Sequence, residues 1–183
     1  YVAHSSSNFA VTVYSVNPST GALTLQQTLT NVIVSPSGIV VDPSGRFAYA
    51  LTQNGGISVF SINSTTGLLT YVGATSTNGS SFALAVHPNG QYVYVTIGNS
   101  NNNVQVFAIN QSTGALTAVG SPFNAGNNPR GVTVNTAGTF LYVTNYVSND
   151  VSAFSISGGG VTLTPLGAAL AAGSNPAGVA LAP

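Results

Sequence analysis

Four copies of a tyrosine-led motif limit what this chain can fold into: Tyr1-Val-Ala-His4, Tyr49-Ala-Leu-Thr52, Tyr94-Val-Thr-Ile97 and Tyr142-Val-Thr-Asn145. The tyrosines lie 48, 45 and 48 residues apart. Self-similarity at that period marks solenoids, propellers and arrays, in which one repeat cannot bury its own apolar face and neighbours bury it for each other. Any candidate site residue must therefore be weighed against what fills the same slot in the other copies.

Each repeat holds four short runs rich in β-branched and aromatic residues, bounded by Gly, Pro, Asn and Ser, as an all-β array requires. The first run is Gly38-Ile-Val-Val-Asp42, Ala83-Leu-Ala-Val-His87, Gly131-Val-Thr-Val-Asn135 and Gly178-Val-Ala-Leu-Ala182. A tight turn such as Pro43-Ser-Gly45 leads to the second run, the tyrosine motif. The third run is Val11-Thr-Val-Tyr14, Ile57-Ser-Val-Phe60, Val104-Gln-Val-Phe107 and Val151-Ser-Ala-Phe154, and its recurring aromatic is placed to fill the space between sheets. Turns from Asn17 to Gly21, Asn63 to Gly67 and Asn110 to Gly114 open the fourth run, while the last copy carries Ser157-Gly-Gly-Gly160 instead. Four antiparallel strands per repeat make the blade of a β-propeller. The expected fold is all-β: one propeller domain over residues 1–183, with repeats starting near Tyr1, Tyr49, Tyr94 and Tyr142.

Charge is nearly absent. Asp42, Arg46, Arg130 and Asp150 are the only formal charges, the net charge is zero, and Lys, Glu and Cys do not occur. Nothing here steers a polyanion, so nucleic acid is not an expected partner. Disulfide and thiol chemistry are excluded. No apolar run is long enough to span a bilayer, so no membrane insertion is expected. There is no Met and no signal-peptide pattern, which reads as a processed product or an excised piece. A surface built from Ser, Thr, Asn and Gln suits a secreted or cell-surface protein.

Tyr142-Val-Thr-Asn145, following Asn128-Pro-Arg-Gly-Val-Thr-Val134, resembles the YVTN-type propeller repeat, and so does Val40-Val-Asp-Pro-Ser-Gly-Arg-Phe47. That group is close to the lactonase-type propellers that include bacterial 6-phosphogluconolactonase. The resemblance covers the whole chain. It implies a propeller, usually of seven blades, often secreted or on the cell surface of bacteria and archaea. Because the chain starts in a second strand and ends in a first one, three arrangements are open. The four blades' worth of sequence is part of a seven-bladed ring, or Gly178–Ala182 closes a ring by pairing with Tyr1–His4, or two chains form eight blades.

Propeller convention sorts the few ionisable residues between two ends of the molecule. Asp42, Arg46 and His87 fall in or beside the turns joining the first and second strands, where a polar side chain caps the backbone. His4, Arg130 and Asp150 fall at the opposite end, the usual ligand face. Arg130 shares its slot with Ser37, Phe82 and Ala177 at the channel mouth, and is the best candidate to hold an anion or a carbonyl. Its competing role is a surface arginine bonding to loop carbonyls. His4 shares the slot of Thr52, Ile97 and Asn145, which is no metal site common to every blade. Asp150 is expected to cap the Asn-rich loop before it. Asn99 to Asn103 and Asn124 to Asn128 form loops suited to left-handed backbone or to sugar hydroxyls, with Tyr146 and Phe123 as the nearest aromatic platforms. Arg130, Asn128, Asn145 and His4 are thus the expected ligand-binding set, with no metal and no cofactor.

Lactone hydrolysis requires a base or a metal-bound hydroxide and a group that holds the oxyanion. The resemblance implies a His, Arg and carboxylate set at the channel mouth, for which only His4, Arg130 and Asp150 are available. The missing Glu and the low charge point instead to a non-catalytic interaction or scaffold module, with a cell-surface protein or glycan as partner and self-assembly into homo-oligomers possible. A lactonase-like hydrolase is the alternative.

Overall fold

The computed structural model describes residues 1–4, 10–31, 36–52 and 55–182. It consists of antiparallel sheets that follow one another along the chain. The first has three strands, β1 (Val2–His4), β2 (Ala10–Val16) and β3 (Leu23–Thr30). The second is β4 (Pro36–Val41), β5 (Phe47–Thr52), β6 (Gly56–Ile62) and β7 (Leu69–Ser76). The third is β8 (Ser81–Val86), β9 (Tyr92–Ile97), β10 (Asn103–Ile109) and β11 (Leu116–Ala118), with β12 (Phe123–Asn124) also pairing β10. The fourth is β13 (Pro129–Val134), β14 (Phe140–Asn145), β15 (Asp150–Ser157) and β16 (Thr162–Pro165), with β17 (Leu170–Ala171) also on β15. The outer strands of the last two sheets are interrupted near Pro122 and Pro165, and proline is tolerated at a sheet edge because no neighbour needs its missing N–H.

Each sheet is a propeller blade. The innermost strands β4, β8 and β13 stand side by side, and β1 stands beside β4. Three apolar clusters lie between consecutive blades. One joins Val11 and Val13 to Ala48, Ala50, Phe60 and Leu69. The next joins Tyr49, Leu51 and Val59 to Val93, Val95, Phe107 and Leu116. The last joins Tyr94, Val104 and Val106 to Leu141, Val143, Phe154 and Leu163. Phe60, Phe107 and Phe154, the recurring aromatic of the third strand, are fully or almost fully buried against the preceding blade. Burial of one such side chain contributes roughly 1.5–3 kcal/mol.

Two of the leading tyrosines, Tyr1 and Tyr94, bond to the following blade. Tyr1 donates its hydroxyl to the Gly67 carbonyl at 2.7 Å, and Tyr94 does the same to Gly160 at 2.6 Å. Both acceptors belong to the turn between the third and fourth strands of the next blade. There the glycine is required twice over. Gly160 has φ +126°, and a Cβ on it would stand 2.5 Å from the Tyr92 ring. The repeat's most visible residue is thus a fastener between blades.

Ring closure by the C-terminal residues does not occur. Gly178–Ala182 forms no strand, and β1 pairs with β2 alone among the described residues. The segment instead runs beside the fourth blade. A Cβ on Gly131 would stand 3.0 Å from the Ala177 carbonyl oxygen, and Leu181 and Ala182 line a cleft with Thr133, Val134 and Tyr142.

Candidate active site at the channel mouth

The innermost strand of each complete blade carries a β-bulge at its start. The bulged residue is Ser37 in β4, Phe82 in β8 and Arg130 in β13. A bulge leaves one residue out of the ladder and re-aims its side chain. These are three of the slots grouped from the repeat, and the fourth, Ala177, lies outside any strand. The backbone N–H of the residue after the bulge finds its partner in the tyrosine motif. Thr96 Oγ1 accepts from Ala83 N at 3.0 Å, and Thr144 Oγ1 accepts from Gly131 N at 2.9 Å. The motif's threonine therefore holds the bulge in place. In the second blade Leu51 stands opposite Gly38, so this contact is missing there.

Arg130 is clamped between two aromatic rings. Its guanidinium carbon lies 4.1 Å from the centroid of Phe82 and 4.7 Å from that of Tyr146. Each such contact is worth about 0.5–2 kcal/mol, the larger figure applying when the cation is desolvated. Tyr146 is itself fixed, because its N–H donates to the Asn128 carbonyl at 2.9 Å. Asn128 has φ +56° and donates its own N–H to Asn102 Oδ1 at 2.8 Å. Arg130 makes no hydrogen bond among the described residues, and its Nε is buried without a partner. The alternative role, a surface arginine bonding to loop carbonyls, is not what the structure shows.

The same end of the molecule holds an unusual set of unpaired polar atoms. Asn145 is fully buried and donates Nδ2 to Asp150 Oδ1 at 2.6 Å and to Ser152 Oγ at 2.8 Å. Its Oδ1 has no partner, nor do Asn128 Oδ1 and Asn103 Oδ1. Of five buried side-chain polar atoms without a partner among the described residues, these three and Arg130 Nε account for four, all in the loops and strand ends of the third and fourth blades. Buried polar groups are nearly always paired, so this concentration sets the loop end of the third and fourth blades apart from the rest of the described residues.

The expected site residues thus separate into groups. Arg130 and Asn128 are joined through Tyr146, and Asn145 is joined to Asp150. His4 stands apart in the first blade, with Nε2 2.7 Å from Thr12 Oγ1 and two blades between it and Arg130. Phe123 pairs through β12 with Val104 and takes no part in the clamp, whereas Phe82 does. Phe82 was visible as the occupant of Arg130's slot one blade earlier. No three His, Asp or Glu side chains gather among the described residues. An isolated cation with stacked faces and one free edge can hold a carboxylate, a phosphate or the developing oxyanion of an ester.

Among solved structures, the chain is similar to a protein of Bacteroides uniformis provisionally named a 6-phosphogluconolactonase, with TM-score 0.82, 20% identity, and 91% of this chain covering 50% of that one. It is also similar to the periplasmic gluconolactonase of Pseudomonas aeruginosa, at TM-score 0.74 and 21% identity over 92% of this chain and 49% of the other. The likeness extends to the hydrazine synthase of Kuenenia stuttgartiensis, at TM-score 0.68 and 17% identity over 97% of this chain and 60% of that one. The chain spans about half the length of the first two. At these identities the likeness establishes the fold, which hosts unrelated chemistries. No curated protein matches the sequence. The family model described as "Lactonase, 7-bladed beta-propeller" matches residues 1–97 and 75–180. That match overturns the expectation of a non-catalytic interaction or scaffold module and of a protein that is no enzyme. Low charge and the absence of Glu describe the bulk surface and say nothing of the one clamped arginine. Residues 1–180 lie within the two matches, and the chain belongs to the seven-bladed lactonase β-propeller family.

Proposed function

We propose that this chain forms part of a lactonase-type hydrolase that opens a small lactone at the channel mouth, with Arg130 holding the lactone carbonyl as it becomes an oxyanion. The observation that carries the reading is the guanidinium fixed on a bulge between Phe82 and Tyr146, with Nε buried and free of protein partners. In ring opening, water adds to the carbonyl carbon, the ring C–O bond breaks, and the alkoxide leaves with a proton. Negative charge develops on the carbonyl oxygen, and a preorganised donor there lowers the barrier. The stacked rings fix the guanidinium plane, so little freedom is lost when it binds.

The attacking water needs a base. On this end of the described chain the groups able to serve are His4 and Asp150. Each already has a partner, Asn145 Nδ2 for Asp150 and Thr12 Oγ1 for His4, and of the two Asp150 lies in the blade that carries Arg130. The family match and the named gluconolactonase relative support the same reaction class. The test is turnover of gluconolactone by the purified protein, followed by acid release at constant pH. Arg130→Gln is expected to lower the rate by about 100-fold or more, in keeping with the loss of one oxyanion donor. Turnover unchanged in Arg130→Gln would sink the role assigned to Arg130, and absence of turnover in the unaltered protein would sink the reaction.

A further inference from the structure

The third and fourth blades build their loop ends from the same backbone and different side chains. Ile97 pairs Ser81 just before the bulge at Phe82, as Asn145 pairs Pro129 just before the bulge at Arg130. The residue that follows is Gly98 in the third blade and Tyr146 in the fourth. Its N–H makes the same bond in both, to the Ser80 carbonyl at 3.0 Å and to the Asn128 carbonyl at 2.9 Å. Gly98 and Tyr146 therefore share one slot of the repeat. In the fourth blade that slot carries a ring, which covers the cation on the bulge. In the third blade the ring sits on the bulge itself, as Phe82, and the slot carries no side chain.

No backbone demand explains this glycine, because Gly98 does not take a positive φ. Space does. A Cβ built on Gly98 would stand 2.5 and 2.9 Å from two carbons of the Phe82 ring, and closer still to Oδ1 of Asn128. Both neighbours belong to the clamp. The Phe82 ring stacks on the guanidinium of Arg130, and the Asn128 carbonyl holds Tyr146, the second ring. A close-packed interior passes such a displacement on to the next contact. One methyl group at residue 98 would thus press on both jaws at once. We propose that Gly98 is a positioning residue for Arg130: its missing side chain is the space that Phe82 and Asn128 use, and it thereby sets the plane in which the guanidinium meets its ligand. Any effect on turnover rests on Arg130 serving as the oxyanion donor, whereas the orientation of the guanidinium does not.

The buried Nε–H of Arg130 allows the two to be separated. In a proton–nitrogen correlation spectrum of the purified protein, its signal is assigned by its loss in Arg130→Gln. It is expected upfield of the ordinary arginine position, because two rings stack on the guanidinium. Gly98→Ala is expected to move it downfield toward that position, while the signal of Arg46, in the turn between β4 and β5, stays in place. The kcat for gluconolactone is expected to fall about 10–100-fold with KM nearly constant, as when a group that acts only in the transition state is misplaced. Gly73→Ala is the control, because a Cβ there meets nothing within 4 Å and its φ is not positive, so neither reading should move. In a Phe82→Ala background the added methyl has one neighbour fewer, and Gly98→Ala should shift the signal much less than in the native protein, the non-additivity expected of groups in contact. Should Gly98→Ala alone fail to fold, the double substitution is expected to restore folding, and its failure to do so overturns the proposal. An Nε–H signal unmoved by Gly98→Ala overturns it whatever the rate does, and so does an equal shift in the two backgrounds. A signal that moves while kcat is unchanged supports the placement by Gly98 and removes Arg130 from the oxyanion instead.

Discussion

The two ends of this propeller carry the same few kinds of side chain and use them differently. At the turn end, polar groups are spent on the chain itself. Asp42 is buried and accepts from the N–H groups of Arg46 at 2.8 Å and Phe47 at 2.7 Å, and from Ser44. Asn135 accepts from Thr139 N and Phe140 N, both at 2.8 Å, in the matching turn. His87 accepts from Asn89 N at 3.1 Å and lies 3.0 Å from the Gly138 carbonyl. Arg46 donates to Gln111 of the next blade at 2.8 Å. At the loop end, Arg130 rests on rings and leaves its nitrogens unbonded, and three amide oxygens near it are unpaired. A residue type does not reveal its role. Whether its bonding capacity is already used does.

That contrast can be broken by substitution. The largest effect is expected from Arg130→Gln, which should remove about 100–1,000-fold of lactone turnover per folded molecule, beyond the roughly 1–4 kcal/mol of stability that goes with its two ring contacts. Full turnover per folded molecule in this variant would erase the distinction between the ends. Asp42→Ala should do the reverse. It orphans the buried N–H of Phe47 and the part-buried N–H of Arg46, so a denaturant titration should show a loss of about 2–4 kcal/mol with turnover per folded molecule retained. Tyr94→Phe removes the bond to Gly160, and about 1 kcal/mol of stability should go with it in the same titration. Arg46→Gln, on an exposed side chain, should stay within about 0.5 kcal/mol of wild type.

A pH titration sharpens the comparison further. Burial pushes the Tyr94 phenol well above its ordinary 10.0, and Tyr92 adds to this as it ionises. Burial also raises Tyr49, with a smaller contribution from Asp42 and an opposing one from Arg46. An unfolded tyrosine loses its proton near 10.0 and the folded ones do so only later, so ionisation favours the unfolded chain. The stability these fasteners contribute is complete below that pH and is lost as pH rises above it. Thermal unfolding followed by circular dichroism should show a midpoint that falls steeply on the alkaline side, and Tyr94→Phe should make the fall shallower.

The fold was legible because its determinants repeat. Tyrosine, strand alternation and turn glycine recur at one spacing, and copies confirm each other. Ring closure was not legible, because the same phase of strands serves a closed ring and an open row alike. Only the course of Gly178–Ala182 beside β13 separates them. Half of the site could be read. Arg130 stood out as a charge in a slot held elsewhere by Ser, Phe and Ala. Its clamp did not, because Phe82 and Tyr146 lie 48 residues before it and 16 after it, in positions that mean something only once the blades are side by side. The unpaired asparagine oxygens were invisible for a different reason. Asparagine in a loop is equally well explained by left-handed backbone, and Asn128 shows both properties at once.

The bulge at the start of each innermost strand has a consequence for how such proteins diversify. Since the bulged side chain takes no part in the ladder, Ser, Phe and Arg occupy equivalent places without disturbing their blades, and in the Phe82 and Arg130 blades a threonine across the strand keeps the neighbouring N–H satisfied. The wall around the channel is in effect a set of exchangeable letters on an unchanging frame. A lineage can rewrite what the mouth recognises one letter at a time, and each blade it duplicates arrives with a blank already provided.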